Sequence, residues 1–225
     1  MKLLSLLVLL LLSACAGREA LLLPELQKAG ISAEQREEIL QKCDEIFVSG
    51  NWQLVHSITF SMASGHGATV IGVTILDENT LRTGLMSVEG FVLFEAERDP
   101  AGKLQVMRAL PPFDNMEFAR GLMRDVQMLF VRPAAAPVAG LLGNEGLGCR
   151  YGAADGTSVD IVPTADSGAV VHIYDRASTE TLSFEMTDFR KTATGLFPQK
   201  IYLKTPGIQG YTLNMTLISA EKTEE

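Results

Sequence analysis

The sequence predicts an α+β domain: an antiparallel meander of about eleven short strands accompanied by two main helices. Three observations carry this. Past Gly50 the apolar period changes from helical to two, with Leu54, His56, Ile58, Phe60 and Met62 alternating against Val55, Ser57, Thr59 and Ser61. Further short runs of the same kind follow, separated by turn signals such as Asp99-Pro100-Ala101-Gly102, the pattern of an antiparallel meander. Two stretches, one before the strands and one among them, carry an apolar stripe at helical spacing.

The N-terminus comes first in chain order. Lys2 precedes an apolar run over 3–12 that is broken only by Ser5. Spanning a bilayer takes roughly 20 residues, so this run has the length of a signal-peptide core. Leu12-Ser13-Ala14-Cys15 then resembles a bacterial lipobox, which predicts cleavage after residue 14 and acylation of Cys15. Ala16, in place of an Asp, favours the outer membrane over inner-membrane retention if the source is Gram-negative. Residues 15–31 read as a lipidated N-terminus and tether, in which Leu21, Leu22, Leu23 and Leu26 are able to pack.

Ser32 opens the first helix, with Gln35 at the capping-box spacing. Ile39, Leu40, Cys43, Ile46 and Phe47 form its stripe, and Ser49-Gly50 ends it. Strands are predicted over 54–62, 70–76, 80–86, 91–97 and 104–109, with Asp77-Glu78-Asn79 as a turn. Leu110-Pro111-Pro112 stops the sheet. Asp114 is the expected cap of the second helix, with Glu117 reciprocal to it. Phe118, Leu122, Val126 and Leu129 line one face of that helix before Arg132-Pro133 closes it. Ala134–Pro137 is linker-like, but short enough to be an excursion inside one domain. Strands resume at 148–151, 159–163, 169–175, 182–188, 200–204 and 211–219. In the last, Tyr211, Leu213, Met215, Leu217 and Ser219 share a face. Residues 32–220 form one domain, and the charged tail 221–225 is expected to fray.

Composition bounds the function. Hydrophobic residues make up 47% of the 225-residue chain, enough for a real core. Loss of Lys2 with the leader leaves 18 of the 19 basic residues against 27 acidic ones, a balance unsuited to nucleic acid or anionic headgroups. Cys43 and Cys149 are the thiols left after Cys15. In an oxidising compartment they either pair or stay as two separate buried thiols, and the place of Cys43 on an apolar helix face favours the second.

Catalytic and metal motifs are missing. His56, His66 and His172 fall in no zinc spacing, so no metal is expected. His56 and His172 sit in strands, where a structural role is favoured. His66 lies in a turn beside Ser64, an unproductive pairing for a hydrolase. There is no G-x-S-x-G elbow. Gly140 to Gly148 is glycine-rich but does not follow a strand, which argues against a phosphate cradle. The chain is therefore expected not to be an enzyme and to need no cofactor. Nine methionines, among them Met62, Met86, Met107, Met123 and Met215, suit a wall that adapts to variable chains. By count alone they fit ordinary core filling better.

The element order, from lipobox through tether, helix, five strands and helix to the remaining strands, resembles the lipoprotein-localisation (LolA/LolB-like) fold. A periplasmic carrier and its outer-membrane receptor share that fold. More closely, the chain resembles an uncharacterised family of receptor-like outer-membrane lipoproteins. Residues 121–133, with Asp125-Val126-Gln127-Met128 before Pro133, carry that likeness, together with 197–203 and 210–215. The resemblance implies a curved, incompletely closed sheet wrapped around two or three helices, with acyl chains held in the space between. Some members of that family are associated with export of aryl polyene-type lipids, which implies envelope export proteins as partners. The receptor's protruding loop, tipped by an apolar residue, falls at Val88 or Glu89, and an acidic tip suits a dedicated relative better than the general receptor.

The resulting expectation is a lipoprotein on the periplasmic face of the outer membrane. It would bind or transfer a lipid or acylated molecule, with Phe60, Val73, Phe94, Met107, Leu122, Val126, Leu129, Ile173, Phe184 and Met215 as lining candidates. Burying a chain of about sixteen carbons at about 0.8 kcal/mol per CH2 is ample driving force. The alternative is a docking lipoprotein of an envelope assembly, with the same fold and a filled core.

Overall fold

The computed structural model describes residues 21–77, 80–191, 195–207 and 210–223. The signal peptide 1–14, Cys15 and Ala16 lie outside the described residues, as do Glu78 and Asn79 of the predicted turn. Fifteen strands and two helices follow in order: Leu26–Gln27 (β1), Ala33–Asp44 (α1), Trp52–Met62 (β2), Gly67–Leu76 (β3), Leu81–Met86 (β4), Val92–Arg98 (β5), Leu104–Ala109 (β6), Met116–Phe130 (α2), Val138–Leu142 (β7), Gly146–Gly152 (β8), Ser158–Pro163 (β9), Ala169–Tyr174 (β10), Glu180–Thr187 (β11), Arg190–Lys191 (β12), Leu196–Phe197 (β13), Lys200–Lys204 (β14) and Tyr211–Lys222 (β15). Thirteen strands make one antiparallel sheet in the order β1-β7-β8-β9-β10-β11-β14-β15-β2-β3-β4-β5-β6, and β12 pairs with β13 apart from it. The ends β1 and β6 do not meet, so the sheet is a curved half-barrel rather than a closed barrel. Both helices lie on its inner face, α1 against β7–β9 and α2 against β4 and β5.

Both helices start where the sequence supplies a cap. The Ser32 hydroxyl accepts from the Gln35 N–H at 3.1 Å, and the Gln35 side chain accepts from the Ser32 N–H at 2.9 Å. The helix is shorter than its stripe suggests, because it ends at Asp44 while Ile46 and Phe47 are buried from the turn beyond it. For α2 the cap is Asn115 rather than Asp114, its Oδ1 accepting from the Glu117 N–H at 2.8 Å. Cys43 and Cys149 form a disulfide, with Cα atoms 6.4 Å apart and 106 residues between them, which fixes α1 to β8. In the chain-entropy model a loop of that length contributes about 4–5 kcal/mol.

Several elements differ from the sequence expectation. The described part of the expected tether is a strap bonded to the domain. Leu22 bridges Thr179, the Leu23 N–H donates to the Ser178 carbonyl at 2.8 Å, and β1 pairs with β7. Arg150, held by both carboxylate oxygens of buried Asp160 at 2.6 Å, donates at 2.7 Å to the Pro24 carbonyl. The glycine-rich stretch is the β7–β8 hairpin. A Cβ on Gly140 would meet the Gln27 carbonyl oxygen at 2.7 Å, so these glycines serve close strand approach. In β15 the register shifts between Leu217 and Ser219. Ser219 thereby leaves the face of Leu217, and Ile218 is pushed into solvent. The predicted frayed tail does not begin at 221, since Glu221 and Lys222 still pair with Gln53 and Trp52.

Candidate functional site

Strand β2 sets the geometry of the site. Trp52, Leu54, His56, Ile58, Phe60 and Met62 point inward, and burial falls along them from 2% exposure at Trp52 to 42% at Met62. At the Trp52 end the indole meets the Phe197 ring edge-on at 4.7 Å, beside a cleft of about 760 Å³ that also borders Gln41, Asp44 and Lys191. The Met62 end is more apolar. There Ile58, Phe60, Met62, Ala68, Val70, Leu85 and Leu213 from β2, β3, β4 and β15 face Phe113, Phe118, Gly121 and Leu122 across a cavity of about 360 Å³. Phe118, Gly121, Leu122 and Asp125 reach it from α2 because they stand at helical i, i+3, i+4 and i+7. A Cβ built on Gly121 would meet nothing within 4 Å, so this glycine leaves part of the volume open. Exposed Met62 and Glu117 lie at the mouth.

The deep polar group is Asp125, which is 3% exposed. The Tyr211 hydroxyl donates a short hydrogen bond to its Oδ2. Its Oδ1 has no hydrogen-bond donor, and Arg124 Nε stands 3.6 Å away on a side chain 62% exposed. Burial raises the Asp125 carboxyl above its ordinary range, against the Tyr211 hydrogen bond and Arg124, which pull it down. Burial, then the facing carboxylate, pushes the Tyr211 phenol up. Two positions further along α2, Gln127 Oε1 accepts from Arg98 at 2.5 Å. The Asp125-Val126-Gln127-Met128 pattern thus ties the helix to β15 through one polar residue and to β5 through the other.

Of the ten lining candidates, Phe60 and Leu122 border the cavity. Phe94, Val126, Leu129, Ile173, Phe184 and Met215 are buried in the continuous core. Two are misplaced. Val73 stands opposite Val55 on the outer face of the β2–β3 pair, because the inward positions of β3 are Val70, Gly72, Thr74 and Leu76. Met107 is 47% exposed, because a register shift in β5–β6 sets Val106 opposite Ala96 and Arg108 opposite Glu95, leaving Met107 bulged between them. Asp125, Gly121 and Tyr211 also border the cavity. The helical spacing from Phe118 carries the signal for the first two, although a polar or small residue on an apolar stripe does not by itself mark a cavity wall.

At the loop between β4 and β5, Val88 is 63% exposed and Phe91 69%, with Glu89 between them. The Ser87 N–H donates to the Phe91 carbonyl, closing this turn at Gly90. Phe91, rather than Val88 or Glu89 alone, thus gives this loop an exposed aromatic side chain.

The histidines are separate. His56 is buried, and desolvation lowers its pKa to about 4. His172 lies on the outer face, with Nδ1 3.6 Å from Glu180 and Nε2 3.8 Å from Glu145, and Glu180 raises its pKa. Ser64 and His66 are exposed in the β2–β3 turn. Among the described residues no group of three or more His, Cys, Asp or Glu side chains is placed to hold a metal ion. No described helix is long and apolar enough to cross a membrane.

The sequence matches no protein-family model. It matches no curated protein either. Its fold does match solved structures. A LolA superfamily protein of Nitrosomonas europaea superposes with a TM-score of 0.60 at 13% identity, covering 87% of this chain and 96% of that one. A putative outer membrane lipoprotein-sorting protein domain of Vibrio parahaemolyticus gives 0.47 at 12% identity, over 85% of this chain and 94% of its own. A DUF1329 family protein of Desulfovibrio piger gives 0.49 at 8% identity, over 82% and 90%. At these identities the first likeness establishes a LolA-like fold, and the other two carry no argument.

Proposed function

We propose that this chain is an envelope lipoprotein, anchored through acylated Cys15, that takes a lipid or acylated molecule into the cavity between α2 and the β2–β4/β15 end of the sheet. The observation that carries the reading is the cavity itself. It has a ligand pocket's volume and walls mostly of apolar side chains, with Glu117, Arg124 and the deep Asp125–Tyr211 pair as its polar groups. A LolA-like fold supports the same reading, since its half-barrel leaves room between sheet and helix. The lipobox at 12–15 supports the anchor, and Ala16 supports the outer membrane. We place the chain beside the receptor-like outer-membrane lipoproteins, as a binding protein rather than an enzyme, with export proteins of the envelope as its partners.

One observation favours the docking alternative. Away from the cavity the interior includes a continuous core with Phe94, Leu129, Ile173 and Phe184. Binding separates the two readings. A soluble form beginning at Ala16 retains every described residue. If it takes up the apolar fluorophore phenylnaphthylamine and releases it to lauroyl lysolipid, the binding reading stands. No uptake of either leaves the docking reading. Mass spectrometry of the mature full chain tests the anchor, expecting acyl groups on Cys15 that a Cys15→Ser variant lacks.

A further inference from the structure

The strap over residues 21–24 lies on a buried charged patch. The Pro24 carbonyl accepts from Arg150 on β8, the Leu21 carbonyl accepts from the Glu180 N–H at 2.9 Å, and the Leu23 N–H donates to Ser178 in the β10–β11 turn. Between those ties the strap crosses the outer face of β9 and β10, where Asp160 and His172 stand opposite one another. A register shift sets Glu180 opposite Tyr174 on the same face. Side chains on the outer face of an antiparallel sheet are ordinarily wet, yet Asp160, Tyr174 and Glu180 are buried. The His172 ring sits among three carboxylates. Nδ1 is 3.6 Å from Glu180, Nε2 is 3.8 Å from Glu145, and Asp160 is its cross-strand neighbour, with the Tyr174 ring stacked at 6.3 Å. Arg150 answers Asp160 with two hydrogen bonds, and Lys204 acts on Glu180 from β14. A protonated imidazole is the balancing charge for Glu180 and Glu145 at contact distance.

We infer that His172 is the latch of the N-terminal strap: the charged imidazole holds residues 21–24 down over β8–β11, and the neutral imidazole lets them lift. Loss of the proton leaves Glu180 buried beside Glu145 and Asp160 without its closest cation, and lifting the strap lets water reach those carboxylates. Glu180, then Glu145 and Asp160, raise the His172 pKa above 6.5 against the effect of burial. The latch is therefore fully held below 6.5 and weakens as pH rises through the raised folded value. Burial pushes the Glu180 carboxyl up, but His172, Ser183 and Lys204 pull it below its ordinary range, so it stays ionised throughout that change. Burial, with the carboxylates, raises the Tyr174 phenol, which stays neutral.

The consequence rests on the proposed acyl anchor at Cys15. With the strap down, the first tied residue is Leu21, six residues from Cys15, a reach of at most about 20 Å. With the strap lifted, the first tie is the Glu25 carbonyl on the Gly143 N–H, ten residues from Cys15, and the reach becomes about 35 Å. Register puts the strap at the cavity-mouth end of the sheet, since Ser183 pairs with Lys204, Lys204 with Thr212, and Tyr211 with Met62. The latch thus sets how far the mouth stands from the membrane.

Hydrogen exchange on the form beginning at Ala16 tests the latch without the anchor. Between about pH 6 and about pH 8.5, protection of the amides at positions 23 and 180, corrected for intrinsic rate, is expected to fall about fivefold, the size of one partly screened ion pair. Protection of the Gly143 amide stays level. His172→Gln shows the low protection at both pH values. Glu180→Gln shows the high protection at both, because it removes the carboxylate that needs the cation. Level protection in the wild type overturns the inference. So does a fall shared by Gly143, which reports general loosening, or a fall that persists in His172→Gln. These results leave the cavity and the anchor untouched, since ligand uptake and mass spectrometry decide those separately.

Discussion

Gly121 is the position at which cavity and stability come apart. It sits in the interior of α2 and borders the cavity, and a Cβ there meets nothing within 4 Å. Replacement by leucine therefore has two separable consequences. The helix gains, because glycine costs about 1 kcal/mol relative to good helix formers at an interior position. For a domain of this size that raises Tm by about 2–4 °C. The cavity loses, because four added carbons occupy space that a bound chain would use. At about 0.8 kcal/mol per displaced CH2 the loss is about 3 kcal/mol, or more than about a hundredfold in affinity. The assay is paired: thermal unfolding without ligand, and competition between phenylnaphthylamine and lauroyl lysolipid. A variant at least as stable as wild type that no longer binds is the expected result. Unchanged binding in a stable variant would refute the claim that the chain lies beside Gly121. A strongly destabilised variant would refute the open space itself.

Three further outcomes are expected. Reduction of Cys43–Cys149, or their joint replacement by alanine, lowers unfolding free energy by about 4–5 kcal/mol in urea titration, and an unchanged midpoint would contradict the closed-loop estimate. His56 has a folded pKa near 4 against 6.5 unfolded, so the unfolded chain binds the extra proton and stability is lost as pH falls below 6.5. The loss reaches about 2 kcal/mol at pH 5, and denaturation of His56→Leu should show that portion of the pH dependence removed. Arg150→Ala strands Asp160, which is 1% exposed, and releases Pro24. It should destabilise by about 3–5 kcal/mol, with early hydrogen exchange at Leu23 and Glu180, whose N–H groups the strap ties down.

Much of this fold is legible in the sequence because its inner face alternates. The strands 104–109 and 200–204 are read with the bounds they have, and the first helix declares itself by Ser32 and Gln35. Misreadings fall where pairing partners far away in the chain decide the outcome. Leu26–Gln27 is a strand only because β7 lies open beside it, and Val138–Leu142 is disguised by glycines whose purpose is close approach. Val73 and Met107 fail as lining residues for a related reason. Strict alternation does not say which face is inward, and a single bulge reverses the phase beyond it. The disulfide is hidden in the sequence because Cys43 on an apolar stripe is equally well explained as core, and only the docking of α1 on β8 brings Cys149 to it. In the sequence Asp125 stands out only within a family-like pattern, whereas its burial and its bond from Tyr211 across 86 residues exist only in three dimensions.

Native mass spectrometry of the form beginning at Ala16, purified from the periplasm of an expression host, tests the central claim most directly. The claim is that the cavity beside Gly121 and Asp125 holds a chain-bearing molecule. The predicted spectrum contains a discrete added mass that extraction identifies as a lipid or acylated molecule, and that mass disappears in Gly121→Leu. A bare protein that also remains bare after incubation with lysolipids and long-chain alcohols would contradict the claim and leave a docking lipoprotein with a partly open core.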